Sequence, residues 1–281
     1  MCRFAKTGRR MLLGMGLAMT LTLMTFISEG QTDVFAHLQW LQLKDTHFII
    51  YFQEDRDAPV ARKILREAER YYQRIGTTIG FTRYSNFWTW DNRARIFLFA
   101  DKEVFLAETG QPEWSTGYVN KDAYAIIGRM IVTYRQEEDF FDGLLPHEIG
   151  HLILHEFVKD AHIPSWFDEG VAQLYEAGKS EQAFRIIRTW VSQDQFIRFQ
   201  DLMRWDIQQE TDPVKVALFY AQSQTIVEFL IKQYGSDAFG RLCRNIRDGK
   251  SFEASLYNVY PNTVPTLADL EKKWVSFMKG R

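Results

Sequence analysis

Residues 144–157 read LLPHEIGHLILHEF, and within this stretch His147, Glu148 and His151 form the pattern HExxH. Helical residues four positions apart lie one above the other on the same face, so the two imidazoles can reach one metal ion. Zinc binds imidazole nitrogen at about 2.0–2.1 Å. Glu148 directly follows the first histidine and can reach a metal-bound water as a general base. We therefore predict a helical metal site with His147 and His151 as ligands.

The start of this helix is marked by Pro146, which directly precedes His147. Proline fits without cost only in the first turn of a helix, where its missing N–H is not needed. The helix therefore either starts at about Gly143 or is kinked at Pro146. Both alternatives place His147 near the N-terminal end of the helix.

A catalytic zinc ion takes three protein ligands and keeps one position for water, so a third ligand is expected downstream. The candidates are His155, Glu156, His162 and Glu169. The Cα atom of His155 lies about 6 Å beyond that of His151 along the helix axis. Three histidines in one straight row cannot converge on a single ion, so we interpret His155 as a packing or surface residue. We favour Glu169, because Ser165 and Asp168 have the spacing of an N-terminal capping box and place Glu169 near the start of a second helix. His162, in the connecting loop, stays an alternative.

HExxH is followed, after 17 intervening residues, by Glu169 in the setting WFDEGVA, residues 166–172. This pattern resembles the gluzincin metallopeptidases, and most of all the peptidase MA-like domains of bacterial secreted proteins. The resemblance implies hydrolysis of peptide bonds, with His147, His151 and Glu169 as ligands of one zinc ion and Glu148 as the base. It also makes Glu176 a candidate hydrogen-bond partner of a ligating histidine.

The resemblance further implies a helical lobe that supplies a Tyr or His to stabilise the oxyanion of the tetrahedral intermediate. Tyr220 is the candidate, with an ordinary core tyrosine as the equally weighted alternative. The Gly-x-Met-Glu-Asn element of aminopeptidases does not occur between Gly117 and Asp142, so we expect an endopeptidase or a protease of narrow specificity. The rival hypothesis is a catalytically inactive or structural zinc-binding module of the cell envelope. A general base beside a water site argues against it.

The N-terminus has the pattern of a targeting segment. Four basic residues within positions 1–10 precede 17 uncharged, mostly apolar residues at 11–27, and Ser28-Glu29-Gly30 offers a cleavage site. We predict that residues 1–30 form a signal peptide or an uncleaved membrane anchor. In both cases the body of the protein lies outside the cytoplasm, as a periplasmic, secreted or membrane-anchored protein.

Composition and charge indicate which kinds of binding partner this protein has. The 281-residue chain has a formal net charge of −2 and no basic stripe in its sequence, so nucleic acid is not an expected partner and a peptide or protein substrate is. The cysteines are Cys2, in the targeting segment, and Cys243. One thiol in the remaining chain cannot form an internal disulfide, and we interpret Cys243 as a small buried apolar residue.

Apolar periodicity predicts an α+β fold, with a sheet leading into the HExxH helix. The resemblance to gluzincins implies that this fold is of the zincin-like kind, with a mixed sheet. The predicted strands are 47–52, 93–100, 117–120 and 123–134. The predicted helices before the metal site are 57–75 and 101–109, and those after Glu176 are 180–192, 214–234, 236–247 and 266–278. We therefore expect an N-terminal α/β lobe at 31–160 and a mostly α-helical C-terminal lobe at 161–281.

Overall fold

The computed structural model describes residues 35–81, 93–111, 113, 117–119, 130–135, 140–159 and 161–280. The predicted signal peptide or anchor at residues 1–30 lies outside the described residues. Within the described ranges, the structure contains no helix with the length and apolar character needed to cross a membrane.

The described part of the N-terminal half contains one mixed five-stranded sheet with the strand order β1-β2-β3-β5-β4. Its strands are β1 Leu41–Lys44, β2 Phe48–Phe52, β3 Ala94–Phe99, β4 Gly117–Val119 and β5 Met130–Tyr134. Strands β2, β3 and β5 are parallel, and the two edge strands run antiparallel to their neighbours. Each predicted strand is present in whole or in part, although residues 120–129 lie outside the described residues. Strand β1 was not predicted, because a four-residue edge strand carries too short a pattern.

The alternation of side chains along the strands gives the sheet two covered faces. In β3, Ile96 and Leu98 face the main core, whereas Phe97 and Phe99 face a smaller cluster with Phe35. The first face is covered by helix α1, Ala58–Ile79, whose apolar residues recur at helical spacing. The central strand of the sheet is therefore buried on both sides, which makes a rigid base for the helices that follow.

The rest of the described chain is helical. After α1 and the short α2, Lys102–Thr109, come α3 Leu145–Val158, α4 Ser165–Ala172, α5 Lys179–Ser192, α6 Phe199–Leu202, α7 Pro213–Tyr234, α8 Ser236–Arg247, α9 Phe252–Val259 and α10 Leu267–Met278. The chain thus has the predicted α+β fold, with an N-terminal sheet and a C-terminal helical lobe. One buried apolar cluster contains both Ile50 of the sheet and Phe219 of α7, so the two parts share a core. The boundary at residue 160 stays a prediction.

The helix that carries HExxH begins in an unusual way. Residues Phe140–Leu144 form a π-helical turn, and α3 continues from Leu145 with Pro146 in its first turn. The wider π turn accommodates the proline ring and its missing N–H, which an α-helical interior would not. His147 therefore lies in the first turn of α3, near its N-terminal end as predicted, and shortly after the irregular turn.

Candidate metal centre

Helices α3 and α4 bring three predicted ligands together. The Nε2 atoms of His147 and His151 lie 3.1 Å apart, and each lies 3.6 Å from the Oε2 atom of Glu169. Two ligand atoms at about 2.0–2.1 Å from a tetrahedral zinc ion lie about 3.3–3.4 Å from each other. The three side-chain atoms thus form a triangle of the size that one zinc ion requires.

The Oε2 atom of Glu169 is the atom that most clearly calls for a cation. It is buried, and among the described residues it has no hydrogen-bond partner. A buried carboxylate oxygen without a hydrogen bond is costly, because it has lost its hydration and has no hydrogen bond in place of it. Burial raises the pKa of Glu169, but His151 and His147 outweigh burial and lower it, so the group is ionised. Two imidazole nitrogens and one carboxylate oxygen are a donor set that suits zinc.

Each of the two imidazoles is oriented by a carboxylate on its far side. Nδ1 of His147 donates to Oε1 of Glu176 at 2.8 Å, and Nδ1 of His151 donates to Oδ1 of Asp168 at 2.7 Å. Because an ionised carboxylate only accepts hydrogen bonds, the Nδ1 atoms carry the protons and the Nε2 atoms face Glu169. The position predicted for Glu176, beside one of these histidines, is the one that the structure shows.

The charge around His151 favours a cation at this place. Burial lowers the pKa of His151, but the negative charges of Asp168 and Glu169 outweigh burial and raise it well above its ordinary value. The pKa of Asp168 moves strongly downward, because His151 and His155 outweigh the effect of its own burial. The carboxylates thus stay ionised, and they stabilise positive charge between α3 and α4.

The predicted capping box of α4 is wrong. The residue at the N-cap is Pro164, which forms no side-chain cap, and Ser165 is already the first helical residue. Asp168 consequently lies one position too far into the helix to close a capping box, and its carboxylate turns toward α3 instead. Glu169 is the fifth residue of α4, one position further into the helix than the predicted capping box implied, and it still lies beside the two histidines.

The remaining candidate ligands lie elsewhere. Nε2 of His155 donates to Oδ2 of Asp168 at 2.8 Å, so this histidine is more than the packing or surface residue that we predicted. A second group of potential ligand atoms, on His151, His155 and Asp168, lies within 4.8 Å, but its closest atoms are already joined by hydrogen bonds. His162 is exposed and belongs to neither group of potential ligands among the described residues.

The two predicted catalytic residues are on α3, next to His147, and on α7. Glu148, in the first turn of α3, is buried. Tyr220, of α7, is half-buried and packs against the main core. Burial raises the pKa of Tyr220, and the negative charges of four nearby carboxylates raise it further: Glu169, Glu176, Glu148 and Asp168. Its hydroxyl therefore keeps its proton at neutral pH and can act as a hydrogen-bond donor.

A glycine that sequence reasoning did not single out sets the distance between α4 and α7. A Cβ atom on Gly170 would lie 2.5 Å from the backbone oxygen of Ser223. Contacts this short are not tolerated, so α4 packs backbone to backbone against α7 only because residue 170 is glycine. This close packing holds α7, which carries Tyr220, against α4, which carries Glu169. The signal in the sequence is the glycine directly after Glu169, the predicted third ligand.

Comparison with known proteins agrees with this arrangement. The family model described as the Peptidase MA superfamily matches residues 99–280. The matched region contains α3, α4 and α7, and with them every residue of the candidate metal centre. A comparison with curated proteins found no match.

Proposed function

Because this chain belongs to the Peptidase MA superfamily, we propose that it is a zinc-dependent endopeptidase in which Glu148 is the general base. The superfamily gives the chain a metallopeptidase-like fold and implies a peptide or protein substrate. The observation that carries the zinc proposal is the buried Oε2 atom of Glu169, which has no hydrogen-bond partner in the described chain and lies equally far from His147 and His151. These three residues would hold the ion.

A zinc ion supplies a Lewis acid and a bound water whose pKa is near 7. Glu148 accepts a proton from the attacking water on its carboxylate and later donates it to the nitrogen of the leaving amine. Its burial limits competition from bulk water for that proton. Asp168 and Glu176 keep the two imidazoles in the tautomer that leaves Nε2 available.

Tyr220 acts on the other side of the reaction in this proposal. Its hydroxyl donates a hydrogen bond to the oxyanion that develops on the scissile carbonyl. The carboxylates that raise its pKa also keep it in the neutral, donating form. Support for this role comes from the carboxylates of Glu148 and Glu169, which are near enough to Tyr220 to raise the pKa of its hydroxyl group.

The choice of endopeptidase rests on the sequence. Residues 117–142 do not contain the Gly-x-Met-Glu-Asn element with which aminopeptidases bind a free substrate amine. A substrate without a recognised N-terminus is then cleaved at internal bonds. The expected products are two peptides, neither of which is a single amino acid.

A structural zinc module is the second candidate function. Structural zinc sites are closed by four protein ligands, whereas catalytic sites keep one position for water. In the described part of the chain, only three ligand atoms converge on the centre formed by α3 and α4. This count, together with the carboxylate of Glu148 in the same helical turn as His147, favours the enzyme.

We also propose that the body acts outside the cytoplasm, on the charge and apolar pattern of residues 1–30. N-terminal sequencing of the protein from its native host tests this point. A chain that starts near residue 31, or a membrane-bound chain that starts at Met1, agrees with export. A cytoplasmic chain that starts at Met1 contradicts it.

The test of the enzymatic function combines metal analysis with a digest. We expect the purified protein to contain about one zinc ion per chain and to cleave an unfolded protein or a peptide library at internal bonds. A chelator should abolish cleavage, and added zinc should restore it. A protein that holds one zinc ion and cleaves no peptide would support the structural module, and a protein without affinity for zinc would contradict both functions.

A further inference from the structure

The carboxylate of Asp168 is shared by two histidines of α3. Its Oδ1 atom accepts from Nδ1 of His151 at 2.7 Å, and its Oδ2 atom accepts from Nε2 of His155 at 2.8 Å. The side chains of His151 and Asp168 are only 6% and 9% exposed, whereas that of His155 is 25% exposed. A continuous chain of hydrogen bonds thus runs from a half-buried histidine to an imidazole of the metal centre.

We propose that His155 is a positioning residue for the metal site: it fixes the carboxylate of Asp168, which in turn fixes the imidazole of His151. This inference rests on the proposed zinc site and extends it by one residue. His155 itself does not touch the ion in this proposal. Its contribution is to the affinity and geometry of the site.

His155 can have this effect because the carboxylate group of an aspartate rotates easily about its terminal torsion. The terminal torsion of an aspartate has a broad, shallow profile, so a carboxylate held through one oxygen can still rotate. A second hydrogen bond on the other oxygen fixes the plane of the group. Because His155 lies one helical turn after His151 on the same face of α3, both bonds also hold α4 in one position against α3.

The other ligating histidine offers an internal comparison. Glu176 holds Nδ1 of His147 through Oε1, and its Oε2 atom pairs with the ammonium group of Lys179. The side chain of Lys179 is 55% exposed, and a lysine ammonium is a flexible point charge. His155 is a rigid ring that is only 25% exposed. We therefore expect the loss of His155 to affect the site more than the loss of Lys179.

A role for His155 as a ligand of a second ion is the competing reading of the same cluster. His151, His155 and Asp168 each offer a potential ligand atom within 4.8 Å of the others. Nδ1 of His151 and Oδ1 of Asp168 are only 2.7 Å apart, which is the length of a hydrogen bond and shorter than the edge of a zinc tetrahedron. The geometry therefore points to a proton between these atoms.

The experiment uses the full-length protein and measures zinc affinity by competition with a chelator, together with the visible spectrum of the Co²⁺-loaded protein. His155→Phe keeps a ring and removes the donor, whereas His155→Gln keeps an N–H donor. The control His162→Phe makes the same change on an exposed loop. Loss of a hydrogen-bond partner outside the ligands costs about 10–100-fold in metal affinity. For His155→Phe we expect a loss of zinc affinity near the lower end of this range, together with a shifted Co²⁺ spectrum. We expect little change in either measurement for His155→Gln, His162→Phe or Lys179→Met.

A second arm separates positioning from general destabilisation. In an Asp168→Ala background the residue through which His155 acts is missing, so adding His155→Phe should cause no further loss of zinc affinity. Losses that add in full would overturn the proposal. It would also be overturned by an unchanged affinity and spectrum in His155→Phe, or by two bound ions per wild-type chain of which His155→Phe removes one.

Two further outcomes remain distinguishable. If His155→Phe does not fold, His155→Asn serves as the variant without the contact, because its shorter amide does not reach Asp168. A wild-type protein that does not bind zinc overturns the proposed function itself. A wild-type protein that binds zinc no more tightly than the variant without the contact, His155→Phe or His155→Asn, overturns only the positioning role.

Discussion

Gly150 of α3 and Ala172 of α4 lie so close that a Cβ atom on Gly150 would be 2.8 Å from the Cα atom of Ala172. Gly150 is the residue directly before His151, and α4 carries Glu169. The missing side chain therefore lets the backbones of α3 and α4 approach each other next to the metal centre. This contact holds α4, which carries Glu169, against the helix that carries the two histidines.

The replacement Gly150→Ala should disrupt this contact. Overpacking of a close contact costs about 1–3 kcal/mol of the free energy of unfolding, and a displaced α4 should also weaken zinc binding. Gly240→Ala in α8 is the matched control, since its Cβ would meet atoms only at ordinary distances of 3.5 Å or more. In that helix, alanine should be neutral or stabilising by up to about 1 kcal/mol. Urea denaturation of both variants measures the difference, and equal stabilities would contradict the close-packing account.

Tyr220→Phe removes one hydroxyl group and almost no volume. If Tyr220 stabilises the oxyanion, the variant should lose about 10²–10³-fold in kcat and still bind about one zinc ion. Tyr234→Phe is the control, because Tyr234 is a half-buried tyrosine at the far end of the same helix. Steady-state kinetics and metal analysis of both variants give the answer. An unchanged kcat in Tyr220→Phe would make Tyr220 a core residue.

Cys243 gives the stability of the fold a defined dependence on pH. It is a buried free thiol in α8, as predicted, and burial raises its pKa to about 12. The unfolded chain ionises its thiol at about pH 8.5, so the stabilisation is complete below that pH and is lost as pH rises toward 12. At pH 10 the thiol should account for a loss of about 2 kcal/mol relative to pH 8.

Urea denaturation of the wild type and of Cys243→Ala at pH 8 and pH 10 tests this dependence. Every other titrating group is common to both proteins, so the difference between the two losses isolates the thiol. We expect the wild type to lose about 2 kcal/mol more than the variant over this interval. Equal losses would show that the thiol does not ionise on unfolding.

The parts of the molecule that the sequence predicts well are those with a local pattern. HExxH needs only the helical period to bring His147 and His151 together, and the long amphipathic helices are observed within a few residues of their predicted ends. Helix α9 was missed, although Ser251 accepts a hydrogen bond from the backbone N–H of Ala254 and caps its start. An eight-residue helix has too few turns for its apolar spacing to stand out.

The parts that could not be predicted depend on contacts between elements. The spacing of Ser165 and Asp168 fits a capping box, and only the position of Pro164 and the packing of α4 on α3 turn Asp168 toward two histidines. His155 was set aside because it cannot be a ligand in a straight ladder. Its actual partner comes from another helix, which no pattern within α3 reveals.

Glu169→Gln tests the third ligand. A neutral amide oxygen is a poorer ligand than a carboxylate, so zinc affinity should fall, and thermal stability should fall with it if metal binding is coupled to folding. Chelator competition and metal content measure the effect. Glu156→Gln, a substitution of the same type on α3, is the control and should keep its zinc. Full zinc affinity in Glu169→Gln would place the third ligand elsewhere, and His162 would be the first residue to test.

In the proposed mechanism, the carboxylate of Glu148 moves the proton while the other carboxylates of the metal centre hold the site together. The most direct measurement is the rate of peptide hydrolysis by zinc-loaded Glu148→Gln next to that of the zinc-loaded wild type. The substituted amide keeps the shape of the side chain but cannot accept the proton. We predict about one zinc ion per chain in both proteins and loss of most hydrolysis in the variant. Hydrolysis at the wild-type rate by the zinc-loaded variant would contradict the role of Glu148 as the base.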